Sequence, residues 1–217
     1  MRTRVKICCI ASVAEASVAI RAGADALGLV SDMPSGSGIV DDAVIRRVVR
    51  QVPPPIARFL LTQQLDAAGI VNHVRRTGVD TVQIVDHVDP AVHAALRSAA
   101  PEVRIVQVVH VTGPEAVAIA ERYAVSAHAI LLDSGQPGAE FRELGGTGRT
   151  HDWQISRAIV DAVPLPVWLA GGLDPANVGE AIRTVRPFGV DLCSGVRTEG
   201  ALDGAKLAAF IAAVAAA

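Results

Sequence analysis

The fold is indicated first by residues 163–196, which read VPLPVWLAGGLDPANVGEAIRTVRPFGVDLCSGV. Two short apolar runs in this stretch, VWLA and GVDL, each end in a small-residue turn, at Gly171-Gly172 and at Ser194-Gly195. A helical pattern follows each turn, over residues 175–185 and 202–216. Two such units near a C-terminus place free backbone N–H groups and helix N-termini on one rim, which is the usual phosphate site of a (β/α)8 barrel. We therefore expect a barrel enzyme that acts on a small phosphorylated molecule.

The rest of the chain repeats the same alternation of apolar runs and amphipathic helical patterns, which is typical of α/β proteins. The predicted strands cover residues 5–10, 26–30, 56–61, 81–84, 104–109, 128–132, 167–170 and 189–192. Eight such repeats predict a (β/α)8 TIM barrel with a single domain over residues 1–217. A doubly wound open sheet is the alternative, but it rarely needs eight regular repeats, and no G-x-G-x-x-G motif follows the first strand.

The predicted helices begin at recognisable caps. Ser12 and Glu15 form a capping box for the first helix, which ends at Gly23, and Asp152 caps the sixth. The remaining helices are expected from Asp41 or Asp42 to about residue 51, and over residues 65–77, 90–99, 114–122, 175–185 and 202–216.

Composition limits the function classes. Of the 217 residues, 51% are hydrophobic but only 3% are aromatic, so the core must be mostly aliphatic, as in parallel barrels. The formal net charge is -2 without a long basic run, which gives no indication of nucleic-acid binding. No apolar run approaches a membrane span, and the first ten residues are too short and too charged for a signal peptide. Three cysteines form neither a disulfide framework nor a zinc spacing, so we expect a cytoplasmic protein without a metal.

The chemistry of such barrels comes from the C-terminal ends of the strands. A carboxylate at Asp133, which ends the run AILL, can serve as a general acid if burial raises its pKa, or it can simply cap a loop. Cys8 is either an inert small hydrophobe or, at the mouth of an electropositive site, a thiolate base. The residues at or just after predicted strand ends are Cys8, Cys9, Asp32, Thr62, Asp86, His87, His110 and Asp133.

Other residues carry weaker signals. His87 and His110 could line a pocket because they follow strands, whereas His73 and His93 lie within predicted helices and are expected to be solvated. Trp168 lies inside the seventh strand and is expected either in the core or facing the helices.

Five motifs in one order are more specific than any single residue. They are KICCI at residues 6–10, LLDS at 131–134, GGTGRTHDW at 145–153, LAGGL at 169–173 and GVDLCSGV at 189–196. The set resembles the phosphoribosylanthranilate isomerase family of tryptophan biosynthesis, whose motifs are K-I-C-G-I, L-L-D-S, G-G-T-G-K-T-F-D-W, L-A-G-G-L and V-D-V-S-S-G-V-E. The resemblance covers essentially the whole chain.

The resemblance implies an Amadori rearrangement, in which an N-linked aminoaldose phosphate becomes an aminoketose phosphate without metal or cofactor. Cys8 then matches the general base that takes the proton from sugar C2, and Asp133 matches the general acid that protonates the ring oxygen. Asp191 matches a carboxylate near the sugar hydroxyls, although it could equally order the final loop. The matching phosphate ligands are Gly146, Thr147, Gly148, Ala170, Gly171, Gly172, Ser194 and Gly195. The implied partner is a small phosphorylated sugar-amine, and the chain is expected to be a monomer or a homodimer.

The departures from the family pattern lie on the other side of the site. Cys9 replaces a glycine, and Gly38 stands where the motif S-P-R-x-V has an arginine that would pair with the anthranilate carboxylate. The fourth-strand motif V-Q-L-H-G reads VQIVD here, at residues 82–86, and the lysine of the fifth strand becomes Gln107. The acid–base pair and the phosphate half remain while the aglycone half is rewritten, which fits a divergent paralogue.

Three interpretations follow. The first is an isomerase of the same reaction type whose substrate carries a different aglycone. The second is a phosphoribosylanthranilate isomerase in which Arg58 or Arg197 meets the carboxylate. The third is a non-catalytic phosphate-binding or regulatory barrel, for which Cys8 and Asp133 would be dispensable. The glycine-containing loop at residues 33–38 would permit a lid in the first two cases.

Overall fold

A computed structural model describes residues 2–33, 38–135 and 150–217. Eight parallel strands close into a barrel in the order of the chain, and the predicted (β/α)8 fold is confirmed. The strands are β1 (Arg4–Ile7), β2 (Ala26–Val30), β3 (Ala57–Thr62), β4 (Thr81–Ile84), β5 (Arg104–His110), β6 (Ala129–Asp133), β7 (Val167–Leu169) and β8 (Gly189–Leu192). Strand β1 pairs with both β2 and β8, so the described barrel has no open edge.

One helix follows each strand around the outside of the barrel. The helices are α1 (Val13–Ala22), α2 (Asp42–Val49), α3 (Ala67–Thr77), α4 (Pro90–Ala99), α5 (Ala116–Ala124), α6 (Trp153–Ala162), α7 (Val178–Val185) and α8 (Gly204–Ala215). At α1, the Ser12 hydroxyl accepts a hydrogen bond from the Glu15 N–H, as expected for its cap. The Glu15 carboxylate reaches one residue further back than in a standard capping box and accepts from the Ala11 N–H at 3.0 Å.

The chain between β8 and α8 differs from the prediction of a turn that leads directly into a helix. A 3-10 turn at Ser194–Val196 is followed by a small antiparallel hairpin, β9 (Arg197–Thr198) and β10 (Ala201–Leu202). The two residues between these strands, Glu199 and Gly200, have φ angles of 50° and 82°. Because both are left-handed, they suit a tight two-residue hairpin, and α8 begins only after it.

The core has two layers because strand side chains alternate in direction. Side chains that point outward pack against the helices in the larger cluster, and those that point inward fill the barrel in a smaller one. Trp168 belongs to the inner cluster and meets the Phe59 ring edge-on at 5.8 Å. Its ring occupies the space beside Gly189, where a Cβ would lie 2.5 Å from Trp168 Cζ3.

His73 and His93 are buried, so the prediction that both are solvated was wrong. His93 is fully buried on α4, with Nε2 at 3.0 Å from Gln107 Oε1 and Nδ1 at 2.9 Å from Ser126 Oγ. His73 on α3 makes a corresponding bridge between Thr62 and Asp42. The reason is that both imidazoles lie on barrel-facing sides of their helices, where polar groups of distant segments satisfy them. Over the described ranges, no helix is long and apolar enough to span a membrane.

Candidate active site

Several of the strand-end residues point into the barrel at its C-terminal end. Val5 and Ile7 of β1 belong to the outer cluster and Cys8 to the inner one, so Lys6 also faces inward. The same alternation turns His110 of β5, Asp133 of β6 and Asp191 of β8 inward, since the residue before each of them in the sequence belongs to the outer cluster. The barrel interior therefore brings together the predicted base Cys8, the predicted acid Asp133, and Asp191. Lys6 joins them.

Lys6 and Asp191 form a buried ion pair. Their Nζ and Oδ2 atoms are 2.7 Å apart, and the two residues lie opposite each other where β1 meets β8. Lys6 has no exposed surface and Asp191 has 5%. Burial alone would lower the pKa of Lys6, but the Asp191 carboxylate and the Cys8 thiol hold it above its usual value. The second carboxylate oxygen of Asp191, Oδ1, is buried without a hydrogen-bond partner in the described part of the chain, so it remains available to a ligand.

Sequence reasoning did not single out Lys6. The sequence did contain a signal. Lys6 lies inside an apolar strand, two positions before a candidate base, and lysines are rarely buried without a partner. Its partner Asp191 lies 185 positions away, so the pair becomes visible only when β1 closes against β8.

Asp133 ends β6 in an environment that moves its pKa toward neutral pH. Burial raises its pKa to about 6, and the nearby Asp191 charge acts in the same direction. Hydrogen bonds from Ser134 and the Lys6 charge oppose this rise. The Ser134 N–H donates to Asp133 Oδ1 at 2.7 Å, which fixes the orientation of the carboxyl group. A carboxyl that holds a proton near pH 6 is suited to general-acid catalysis.

Cys8 follows β1 and is 7% exposed. Gly28 of β2 leaves room beside it, since a Cβ at this glycine would lie 2.7 Å from Cys8 Sγ and 3.1 Å from Lys6 Nζ. The thiol and the ammonium therefore border the same space. Hydrogen bonds with Cys193 and Cys8, together with burial, hold the pKa of the Cys9 thiol far above its usual range. The adjacent Cys9 is therefore a protonated neighbour and is unsuited to act as the base.

The two departures at Cys9 and Gly38 are linked in space. Cys9 has a φ angle of 63°, a left-handed conformation that favours glycine, which is the residue of the family motif. A Cβ at Gly38 would clash with Cys9 Cβ and lie 2.9 Å from Cys9 Cα. The Cys9 carbonyl oxygen would lie only 3.0 Å from the same Cβ and Gly38 has a φ angle of 74°, so both the backbone and the side chain of Cys9 oppose a side chain at position 38. Residues 34–37 of the expected lid lie outside the described residues.

The predicted phosphate turns come together at the ends of β7 and β8. Gly171 and Gly172 have φ angles of 85° and 62°, and Asn177 Nδ2 donates to the Gly172 carbonyl at 2.8 Å. Gly195 lies against this turn, because a Cβ there would be 3.1 Å from Asp174 Cα. Ala170 is buried in the inner cluster beside them, and Ser194 begins the 3-10 turn. The predicted ligands Gly146, Thr147 and Gly148 lie outside the described residues.

Both arginines considered as carboxylate partners already pair with a carboxylate of this chain. Arg58 lies near the start of β3, at the opposite end of the barrel, with its Nε 2.6 Å from Asp80 Oδ2. Arg197 lies at the correct end, but its guanidinium donates to Glu15 and to the Cys9 and Gly200 carbonyls. These hydrogen bonds of Arg197 stabilise the loop that carries Cys8.

The two candidate pocket histidines differ in placement. His110 faces the interior and donates from Nε2 to the Val85 carbonyl at 2.9 Å, whereas His87 stacks on Tyr123 with ring centroids 6.3 Å apart. Burial lowers the pKa of both imidazoles. In the residues that the structure describes, no group of acidic, histidine or cysteine side chains is arranged to hold a metal ion.

Comparisons with known proteins agree with this geometry. The family model described as N-(5'phosphoribosyl)anthranilate (PRA) isomerase matches residues 5–213. The N-(5'-phosphoribosyl)anthranilate isomerase 2 of Methanosarcina mazei is 40% identical over 212 residues, which cover 96% of this chain and 92% of the relative.

Two solved structures are similar over their whole length. The phosphoribosyl anthranilate isomerase of Thermus thermophilus has a TM-score of 0.84 at 25% identity and 99% coverage of both chains. A phosphoribosyl anthranilate isomerase in complex with reduced 1-(o-carboxyphenylamino)-1-deoxyribulose 5-phosphate has a TM-score of 0.80 at 28% identity, covering 99% of this chain and 100% of the other. The family model and the M. mazei relative both span nearly the whole barrel, so this chain belongs to the N-(5'-phosphoribosyl)anthranilate isomerase family and is an aldose–ketose isomerase.

Proposed function

We propose that this chain catalyses the Amadori rearrangement of an N-(5-phosphoribosyl)amine, with Cys8 as the general base and Asp133 as the general acid. The observation that carries the proposal is the common placement of these groups. A carboxyl with a pKa of about 6 and a thiol beside a buried cation both face the interior at the C-terminal end of one barrel. N-(5-phosphoribosyl)anthranilate, the substrate in the relatives' names, is the first compound to test.

The reaction begins with two proton transfers and ends with tautomerisation of an enol. Asp133 gives its proton to the ring oxygen, the bond from that oxygen to C1 breaks, and the nitrogen lone pair forms a C1=N iminium ion. The Cys8 thiolate then removes the proton from C2, and the electron pair moves toward the nitrogen to give a neutral enol-amine. Tautomerisation of the enol places a carbonyl at C2 and a second hydrogen on C1. Substrate and product are isomers, so no oxidant or reductant is needed.

The residues around this pair have supporting roles. The Lys6 ammonium borders the same space as the Cys8 thiol, and Asp191 holds that ammonium in place through a 2.7 Å contact. The unpaired Oδ1 of Asp191 accepts a hydrogen bond from a sugar hydroxyl of the bound substrate. Backbone N–H groups at Gly171-Gly172 and Ser194-Gly195 bind the phosphate, together with those at Gly146, Thr147 and Gly148.

The residues on the aglycone side of the site support a preference for a different aglycone from the anthranilate of the family. Gly38 provides no guanidinium, and Arg58 and Arg197 are committed to Asp80 and Glu15. A carboxylate on the aglycone would therefore lose the bidentate partner expected at position 38. We infer that phosphoribosylamines with an uncharged aglycone are accepted at least as well as the anthranilate compound. A cytoplasmic location and a monomeric or homodimeric state remain predictions.

The test is turnover of N-(5-phosphoribosyl)anthranilate generated in situ, followed by the loss of its fluorescence. Cys8→Ala and Asp133→Asn are expected to abolish turnover, each by roughly a hundredfold or more, as for loss of a general acid or base. Cys193→Ser is the matched control, because it replaces a nearby thiol that has no role in the mechanism and introduces the serine of the family motif.

Two outcomes would contradict the proposal. Full activity in either Cys8→Ala or Asp133→Asn would remove that residue from its role. No activity at high enzyme concentration, with anthranilate or with uncharged aglycones, would favour the non-catalytic phosphate-binding barrel. In that case ribose 5-phosphate should still raise the melting temperature.

A further inference from the structure

We propose that His110 is a substrate-binding residue, whose Nδ1 accepts a hydrogen bond from the N–H that joins the sugar to the aglycone. The inference rests on the proposed function, because it places a substrate with such a nitrogen between Cys8 and Asp133. It assigns a role to an imidazole that the acid–base mechanism does not use.

The position of His110 brings it to the reacting groups. It is the last residue of β5, its inward direction follows from Val106 and Val108 in the inner cluster, and it is 3% exposed. It lies in register with Asp133 on the adjacent strand. In an eight-stranded barrel β5 lies across from β1, so His110 and Cys8 face each other over the interior. A molecule that contacts both Cys8 and Asp133 therefore passes in front of this imidazole.

The hydrogen bonds of His110 determine what it can offer. Nε2 lies 2.9 Å from the Val85 carbonyl oxygen, which can only accept, so Nε2 carries the proton. Burial lowers the pKa of His110, so the ring stays neutral and Nδ1 presents a lone pair. Nδ1 is buried and has no hydrogen-bond partner within the described ranges. A buried acceptor left unpaired is unfavourable, and a donor on the substrate would satisfy it.

The nearest aromatic group does not take this role. The His87 ring lies at 6.5 Å from that of His110, edge to face, and its own Nδ1 is 3.4 Å from the Tyr123 hydroxyl. That hydroxyl in turn donates to the Val88 carbonyl at 2.9 Å. The His87–Tyr123 pair thus leaves Nδ1 of His110 without a partner among the described residues.

The chemistry of the reaction favours the linking nitrogen as the donor. In the substrate this nitrogen is a neutral amine with a weakly polarised N–H. When the ring opens it becomes an iminium ion, whose N–H is a far stronger donor because it carries positive charge. The hydrogen bond to Nδ1 therefore strengthens toward the iminium intermediate while the proton stays on the nitrogen. An interaction that strengthens in this way raises kcat more than it lowers KM.

Two substitutions separate the two nitrogens of the imidazole. His110→Asn keeps an acceptor near the Nδ1 position but loses the donor to Val85, whereas His110→Gln keeps that donor and loses the acceptor. The inference predicts that kcat falls by about 10- to 100-fold in His110→Gln, the range for one hydrogen bond to a charged group, and by less in His110→Asn. The melting temperature should show the opposite order, with His110→Gln the more stable of the two.

A purely structural role makes kcat follow the melting temperature, so His110→Gln would be the more active variant. That result, or equal kcat in both variants and the wild type, overturns the inference while the proposed function stands. Absence of turnover in the wild-type protein overturns the proposed function itself, and this inference with it. A fall confined to KM in His110→Gln also contradicts the inference, because the contact would then be equally strong before and after ring opening.

Discussion

Removal of Lys6 should have an effect on stability that depends strongly on pH. In Lys6→Met the side chain keeps a similar volume, but the buried Asp191 carboxylate loses the ammonium 2.7 Å away. A buried charge without a partner is so unfavourable that the group binds a proton instead. The free energy lost in the variant is therefore limited by the cost of protonating this one carboxyl.

That cost can be calculated from the ordinary pKa of aspartate, about 3.9, at about 1.36 kcal/mol for each pH unit. At pH 7 the limit is about 4 kcal/mol, within the range of about 3–5 kcal/mol for breaking a buried ion pair. At pH 5 it falls to about 1.5 kcal/mol. The sign follows from the raised pKa of Asp191 in the folded variant: stability is retained below about pH 3.9 and lost as pH rises toward the folded-state value. Burial already raises the pKa of Asp191 in the intact pair, so these figures are upper limits.

The assay is urea unfolding of the wild type, Lys6→Met and Lys6→Met/Asp191→Asn at pH 5, 6 and 7. The double variant is the control, because the neutral amide that replaces the Asp191 carboxylate leaves no unpaired charge in the interior. At pH 7 the double variant should be more stable than the single variant. The reasoning is refuted if Lys6→Met loses the same free energy at pH 5 and pH 7, or if the double variant is no more stable than the single one at pH 7.

Three further predictions follow from the same contacts. Asp133→Asn should raise the unfolding free energy by up to about 3 kcal/mol above pH 6, because it removes a carboxyl whose pKa rises on folding from about 3.9 to about 6. The kcat/KM of the wild type should decline over the same pH range as Asp133 loses its proton. A thermal stability that the substitution leaves unchanged contradicts the stability prediction. Gly38→Ala should destabilise the protein, because its Cβ would meet both the Cβ and the backbone of Cys9 and because position 38 has a φ angle of 74°. In a double-mutant cycle Cys9→Gly should relieve only the part due to the Cys9 Cβ, so fully additive effects or complete recovery would contradict this. Burial lowers the pKa of His93, so the free energy of unfolding of the wild type should fall as pH drops below about 6.5. The free energy of unfolding of His93→Asn should depend less steeply on pH. An equal pH dependence in the two proteins, measured by urea unfolding, would contradict this.

Much of the fold could be predicted because local signals mark its elements. Strands β2, β4 and β8 and helix α4 have the predicted bounds, since each is an apolar or amphipathic run between turn residues. Strand β1 ends at Ile7 rather than at residue 10, because Cys9 adopts a left-handed conformation that its sequence does not announce. The hairpin at β9 and β10 was missed because strands of two residues carry no periodic pattern.

The site could be predicted only in part, for a different reason. Cys8 and Asp133 could be named as candidates because strand ends are where barrels place chemistry, a rule that needs no long-range information, whereas Asp191 was named only through the resemblance to the family. All three side chains face the barrel interior in the structure. The Lys6–Asp191 pair and the buried histidines depend on partners from distant segments. His73 and His93 are polar and lie within helices, so sequence alone assigned them to solvent, and only the closed barrel supplies the groups that satisfy them and the Lys6–Asp191 pair.

The link between Cys9 and Gly38 separates the chemistry of this barrel from its choice of substrate. Cys8 and Asp133 are positioned from β1 and β6, and the charge beside them is held by the contact of Lys6 with Asp191 on β8. None of these contacts involves position 38, which lies on the loop after β2. Because Gly38 lies directly against the backbone and the Cβ of Cys9, the two departures from the family motif form one local change on the aglycone side. A change of that kind can alter which aglycone is bound and leave the acid–base pair in place, which is the pattern expected when an isomerase keeps its reaction and acquires a different phosphoribosylamine.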